Sequence, residues 1–299
     1  MSGTVLLSVV IPTRDREGIL SRTLDALSRV RGAAGRMEAV LVDDGSRDGT
    51  ARLLAERLPS LPFPARDVAG EGRGPAAARN LGVREAHGTL VAFLGDDTLP
   101  VEGWLDGHLA AHARHPGHAV LGDIRWHPEA QGGAFLDFLS PRGPQFDFGD
   151  LADPLDLGPD RFFAANLSLD RRTALEDPFD ERFAAAAGED IEWGGRLHRR
   201  GVRLAFAAEA AVLHLHGHDL ASFTRRMEAA GRAGRLLGEI RPEKRESVTP
   251  RRVAMQKAAA AILGSLPAWA VPPGLRRRRW RAVLGAAYCR GFEEGGARG

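Results

Sequence analysis

Cysteine is nearly absent from this 299-residue chain, with Cys289 its only example. No intramolecular disulfide can form, and zinc sites built on thiolates are excluded. Long apolar runs are also missing. No stretch approaches the roughly 20 residues that cross a bilayer. The opening MSGTVLLSVVIPTRD has no basic n-region and reads as a first strand, not a secretory signal. The cytoplasm is the expected compartment. Lysine is scarce: Lys244 and Lys257 stand alone against many arginines, a bias that a GC-rich genome accounts for.

What is present is ordinary globular material, 43% hydrophobic and 27% charged, enough to build a packed core. The length fits one large domain or one domain with an extension. The net charge of +2 conceals a split, because residues 220–299 carry +11 and the remainder −9. An acidic body with a basic tail directs the tail toward anionic surfaces.

Leu6–Ile11, stopped by Pro12, and Glu38–Val42, stopped by Asp43-Asp44-Gly45-Ser46, are short continuous apolar runs of the kind found in buried parallel strands. Thr89–Leu94 is a third, ended by Gly95-Asp96-Asp97. Helical patterns lie between them, at 16–30, from Asp48 or Thr50 to Leu58, and at 75–87. This alternation predicts a parallel sheet with helices on both faces, and ligands beyond the carboxyl ends of its strands, where the polar clusters fall. Residues 127–160, rich in Gly, Pro and Asp, read as a long surface loop with short helical pieces, poised as a lid. A strand at 162–169, a helix at 188–200 closed by Gly201, and one or two short strands at 202–214 follow. Long helices are expected at 221–240, 249–263 and 275–292.

Each polar cluster admits a functional and a structural reading. Asp43-Asp44 can accept hydrogen bonds from a base or ribose, or form an Asx turn. Asp96-Asp97 are adjacent carboxylates that a cation would reconcile; hard oxygens suit Mg²⁺ or Mn²⁺ with a diphosphate completing the shell, and a solvated turn is the alternative. Glu189, Asp190 and Glu192 at a helix start either offset the helix dipole or supply a general base. His214 and His216, with His218 beyond, form a surface cluster or complete a metal site. Gly74–Gly82, small residues around Arg79, provide close helix–sheet packing or an approach for phosphate.

Taken in order, SVVIPTRDR, LVDDGSRDGT, GPAAARNLGV, TLVAFLGDDTLP, FFAANLSLDRR and GEDIEWGGRLHRRG resemble the family 2 glycosyltransferases, inverting nucleotide-sugar-dependent enzymes of the GT-A fold. The likeness runs from about residue 5 to residue 216. It implies an α/β GT-A domain, a Rossmann-like, mostly parallel sheet flanked by helices, over 1–218. Its nucleotide-binding half is 1–100 and its acceptor-binding half 101–218, followed by a basic helical extension at 219–299. By the resemblance, Pro12, Thr13, Arg14, Asp43, Asp44, Arg79 and Asp96 hold the nucleotide. Asp97 closes the DXD element and, with His214, binds Mn²⁺ or Mg²⁺; Gly95 replaces that element's first acid. Asp190 is the catalytic base, and Asn166, Glu189 and Trp193 lie near the donor sugar or acceptor.

The expected donor is a nucleotide-diphosphate sugar, UDP first, with GDP and dTDP next; the acceptor is a glycan, a lipid-linked glycan or a small molecule. A hexosyltransferase reaction in glycan, glycolipid or polysaccharide synthesis would follow, with no nucleic-acid partner. The competing reading is a non-catalytic nucleotide-sugar-binding or scaffold protein on the same fold. In the tail, Trp269, Trp280, Leu284 and Phe292 beside Arg276–Arg279 leave two outcomes: a helix packed on the domain or on a second subunit in a homodimer, or peripheral contact with the inner face of a membrane.

Overall fold

In the computed structural model, which describes residues 5–140, 143–146, 148, 151, 154–242, 248–265 and 271–295, the apolar runs become the middle of a sheet. In chain order the elements are β1 (Leu7–Thr13), α1 (Glu17–Ser28), β2 (Met37–Asp43), α2 (Thr50–Arg57), β3 (Ala65–Ala69), α3 (Pro75–Glu85), β4 (Leu90–Leu94), β5 (Thr98–Pro100), α4 (Trp104–Arg114), β6 (Ala119–Trp126), α5 (Leu136–Leu139), β7 (Asn166–Asp170), α6 (Arg171–Glu176), α7 (Glu189–Arg199), β8 (Leu204–His214), α8 (Leu220–Ile240), α9 (Pro250–Gly264) and α10 (Pro273–Glu294).

The eight strands lie in the order β3-β2-β1-β4-β7-β6-β8-β5. β1–β2, β2–β3, β1–β4 and β6–β8 pair in parallel. The β4–β7, β6–β7 and β5–β8 pairs are antiparallel, so the second half of the sheet is mixed. Alternate residues of β1 enter opposite cores. Val9 and Ile11 pack with Leu20, Leu24 and Leu41, while Val10 packs with Val40, Val42 and Phe93. A strand covered on both faces must be apolar throughout, which is why the run is continuous. β1 does not stop at Pro12 but continues to Thr13. Pairing with β4 has already ended at Val10, so the missing proline N–H removes nothing from that ladder.

The opposite, amino end of the sheet is fastened by one buried acid. Glu38 on β2 accepts from Ser8 Oγ on β1 (2.6 Å), from the backbone N–H of His87 (2.6 Å) and from Arg66 on β3 (2.9 Å). Burial would raise its pKa, but these donors hold it down at about 2.

Among the described residues, the 127–160 segment is less of a surface loop than its composition implies. Phe135, Leu136, Phe138, Leu139 and Leu157 are buried. Residues 141–142, 147, 149–150 and 152–153 of that segment lie outside the described residues, as does Trp269.

Contacts divide the chain into two units. One comprises Met1–Gln131, Leu139–Ala184 and Asp190–Gly217, and contains the sheet. The other comprises Gly132–Phe138, Ala185–Glu189 and His218–Gly299, and contains the three long C-terminal helices. Within it, α8 opens with a capping box between Asp219 and Ser222. α10 packs on both α8 and α9. Of the tail's apolar residues, Trp280 lies against Phe135 and Phe138, with ring centroids 5.2 and 5.3 Å apart, and Leu284 is buried. Phe292 sits under the Arg235 guanidinium. Among the described residues, no helix is long and apolar enough to cross a membrane.

Candidate active site

The carboxyl ends of β1, β2 and β4 bring the predicted nucleotide-side residues together, because parallel register sets Thr13 opposite Asp43. Thr13 Oγ1 donates to Asp96 Oδ2 at 2.9 Å, and the Arg16 guanidinium stands 3.9 Å from the same oxygen. From below, the buried Thr23 hydroxyl on α1 donates to the Asp96 carbonyl at 2.8 Å. Burial and the adjacent Asp97 carboxylate push the Asp96 acid up to about 7, against the pull of Arg16 and Thr13. Neither Thr23 nor Arg16 stands out in the sequence as a site residue.

Asp97 meets His214 through strand pairing. β5 runs antiparallel to β8 with Thr98 opposite His214, and Leu215 donates its N–H to the Asp97 carbonyl at 2.8 Å. The side chains converge, with Asp97 Oδ1 3.6 Å from His214 Nε2. His214 is buried between the Trp126 and Phe146 rings, at centroid distances of 5.2 and 5.4 Å. Trp126 is its register partner on β6. Phe146 comes from the Gly/Pro/Asp-rich segment, and no sequence pattern marked it. β8 ends at His214, so His216 does not continue a strand row. Gly95 leaves little room for the acid it replaces: a Cβ there would stand 3.0 Å from Asp97 Oδ1.

The Asp44 carboxylate accepts from the backbone N–H groups of Arg73 (3.1 Å) and Gly74 (2.8 Å), drawing the β3–α3 loop to the end of β2. Asp43 accepts from the Ser46 N–H at 2.9 Å, a local side-chain-to-backbone bond across the turn. Gly74 has φ +94 and packs against the Ala184 backbone, so any side chain would be doubly excluded. Asn80 clamps the same downstream segment, donating to the Phe179 carbonyl and accepting from its N–H, both at 2.9 Å. Arg73 pairs with Glu181 at 2.6 Å. Arg79 is buried, with its guanidinium 5.4 Å from the centre of the Phe179 ring. Pro12 and Arg14 flank Thr13 at the end of β1.

On the acceptor side the predicted residues separate. Asp190 is half-buried at the start of α7, where it accepts from the Ile191 N–H. Glu189, beside it, is buried in the other unit's grouping. Trp193 is fully buried, stacked on Phe179 at 4.1 Å, and its indole N–H donates to the Asp177 carbonyl. Asn166 is likewise at zero exposure. Its oxygen accepts from Trp104 Nε1 at 2.8 Å and faces His108 Nε2 at 3.1 Å; its amide donates to the Asp123 and Ala210 carbonyls. The residues expected to touch a sugar thus include two core residues. Asn166 supports the acid turn from beneath, since it pairs with Leu94 and the Gly95 N–H donates to the neighbouring Ala165 carbonyl.

Among the described residues, no three His, Cys, Asp or Glu side chains gather into a metal-holding group. The site offers a pair, Asp97 and His214, beside a carboxylate already engaged by Thr13 and Arg16.

The description "Glycosyl transferase family 2" matches residues 8–176, more than half of the chain. The chain belongs to glycosyltransferase family 2. Validoxylamine A glucosyltransferase from Streptomyces hygroscopicus subsp. limoneus is 34% identical to this family 2 chain over 233 residues, covering 69% of the chain and 50% of that protein. The chain spans about half the length of the curated relatives it matches first. Two solved structures share its fold. The mannosyltransferase PcManGT from Pyrobaculum calidifontis, in complex with GDP-Man and Mn2+, superposes with a TM-score of 0.64 at 17% identity, covering 96% of this chain and 87% of that one. S. aureus TarS 1-349 in complex with UDP gives 0.57 at 17% identity, covering 97% and 91%. The architecture is the GT-A fold, with helices following the sheet domain.

Proposed function

We propose that this family 2 chain transfers a sugar from a nucleotide-diphosphate sugar to an acceptor hydroxyl, with inversion at the anomeric carbon. The observation that carries the reading is the convergence of Asp97 and His214 next to the Thr13–Asp96 pair at the carboxyl ends of the strands. The complexes of its structural neighbours with UDP and with GDP-Man and Mn2+ support a nucleotide sugar and a divalent ion. Uridine comes first among the bases.

The donor set fits a hard cation. Asp97 and His214, 3.6 Å apart, would hold it. A bound Mn²⁺ or Mg²⁺ would neutralise charge on the departing diphosphate. Asp96, held by Thr13 and Arg16, faces the ribose or sugar hydroxyls, and Pro12, Thr13, Arg14, Asp43, Asp44 and Arg79 form the nucleotide side. Asp190 accepts the proton of the acceptor hydroxyl as its oxygen bonds to the anomeric carbon. The bond from that carbon to the diphosphate oxygen breaks in the same displacement.

The test is a thermal-shift panel of UDP, GDP, dTDP and CDP with Mn²⁺, Mg²⁺ or EDTA, followed by turnover of the matching sugar nucleotide. A nucleotide at about 100 times its Kd adds roughly 2.7 kcal/mol of stability. We expect one nucleotide to stabilise the protein only with metal, and Asp97→Ala to abolish that shift. Asp190→Asn should keep the shift and lower kcat by roughly 10²- to 10⁴-fold. Metal-independent binding, or turnover unchanged in Asp190→Asn, would overturn the respective assignment. Binding without any turnover would favour a scaffold on the same fold.

A further inference from the structure

Helix α9 meets α10 on one side and leaves an apolar stripe on the other. Its inward face meets α10: the Gln256 side chain lies over Gly285, Lys257 pairs with Glu293 at 2.9 Å, and Gly264 lies beside Val283. Its outward face carries Ala254, Met255, Ala258, Ala261 and Ile262, all exposed at helical spacing. Met255 is 62% and Ile262 70% exposed, more than any other large apolar side chain among the described residues. Two large apolar side chains left open one above the other on a helix mark a contact surface.

Charge identifies that surface. Arg279 of α10 reaches the Gly264 carbonyl, which sets the start of α10 at the Ile262 end of the stripe. Arg276, Arg277, Arg278 and Arg281 are exposed there, and Arg251 is exposed at the other end of α9. Residues 220–299 as a whole carry +11. A two-fold contact between copies would bring the same arginines together, whereas anionic headgroups complement them and admit Met255 and Ile262 between acyl chains. We propose that α9 and the start of α10 dock on an anionic lipid surface, with Met255 and Ile262 inserted and Arg276–Arg278 on the headgroups. The proposal stands apart from the sugar-transfer reading and needs no catalytic residue.

Flotation of the full chain with phosphatidylcholine vesicles, and with vesicles holding equimolar phosphatidylglycerol, tests it, with light scattering in parallel. The expected result is flotation with the anionic vesicles alone, weakened by salt. Converting Arg276, Arg277 and Arg278 together to Ser should weaken partitioning roughly a hundredfold. Met255→Ser with Ile262→Ser should weaken it roughly tenfold or more. All five side chains are exposed, and unchanged circular dichroism and nucleotide binding report intact folding. No flotation with either vesicle, flotation indifferent to Met255 and Ile262, or self-association that those two changes abolish would each overturn the proposal.

Discussion

At the scale of single residues, the most constrained group is the buried chain of polar side chains under the acid turn. Asn166 gives both amide hydrogens to carbonyls, so its oxygen must accept, and His108 must carry its proton on Nε2. His108 Nδ1 then accepts from Ser168 Oγ at 2.8 Å, and Ser168 accepts from His112 Nε2 at 2.8 Å. Burial keeps both imidazoles neutral at pH 7. Burial pushes His108 down to about 3 and His112 down to about 4; the Asn166 contact and Asp170 respectively oppose the shift. A folded pKa below the unfolded one gives stability that is complete above about 6.5 and lost as pH falls toward the folded values. Denaturant midpoints should therefore drop between about pH 6.5 and pH 4. His108→Gln, which keeps one donor and one acceptor, should flatten that slope; an unchanged slope would place the titration elsewhere.

At the scale of elements, the sheet divides its duties between its ends. Carboxyl ends present Thr13, Asp44, Asp96 and Asp97, while the amino ends of β1, β2 and β3 are joined through Glu38. Removing one member of such a buried, paired cluster costs about 3 kcal/mol. Glu38→Gln should lower unfolding stability by about that amount at neutral pH and by less near pH 2, leaving nucleotide affinity unchanged. Urea titrations at the two pH values check it. This division also marks what could be read from the sequence. β1, β2 and β4 are legible because both faces are buried and the runs are unbroken. β3 is an edge strand written Ala-Arg-Asp-Val-Ala, with no apolar pattern to find. β5 has three residues, yet it is the element that aligns Asp97 with His214. α4 hides its buried face behind Gly107 and His108, and Glu209 interrupts β8, so one long strand reads as one or two short ones. The acids of the site were visible as residue pairs at strand ends. Asn166 and Trp193 were visible only as polar or aromatic residues in a motif, and nothing in that motif told a core position from a sugar contact.

At the scale of the whole molecule, the two units are interleaved along the chain. Gly132–Phe138 groups with the C-terminal helices although it lies within the span of the sheet unit. Phe135 and Phe138 are covered by Trp280, and Phe135 also meets Phe223. Trp280→Ala should therefore destabilise the helical unit by about 2–3 kcal/mol, since the ring is only partly enclosed. The loss should appear in chemical unfolding followed at the tryptophans, while Asp97-dependent nucleotide binding persists.

That interleaving has a consequence for biogenesis. A ribosome delivers Phe135 and Phe138 well before Trp280, a delay on the order of ten seconds at usual elongation rates. Throughout that interval a nascent chain with much of its sheet already synthesised exposes an aromatic pair awaiting its cover, so premature termination before Trp280 leaves a sticky product and not a merely shortened one.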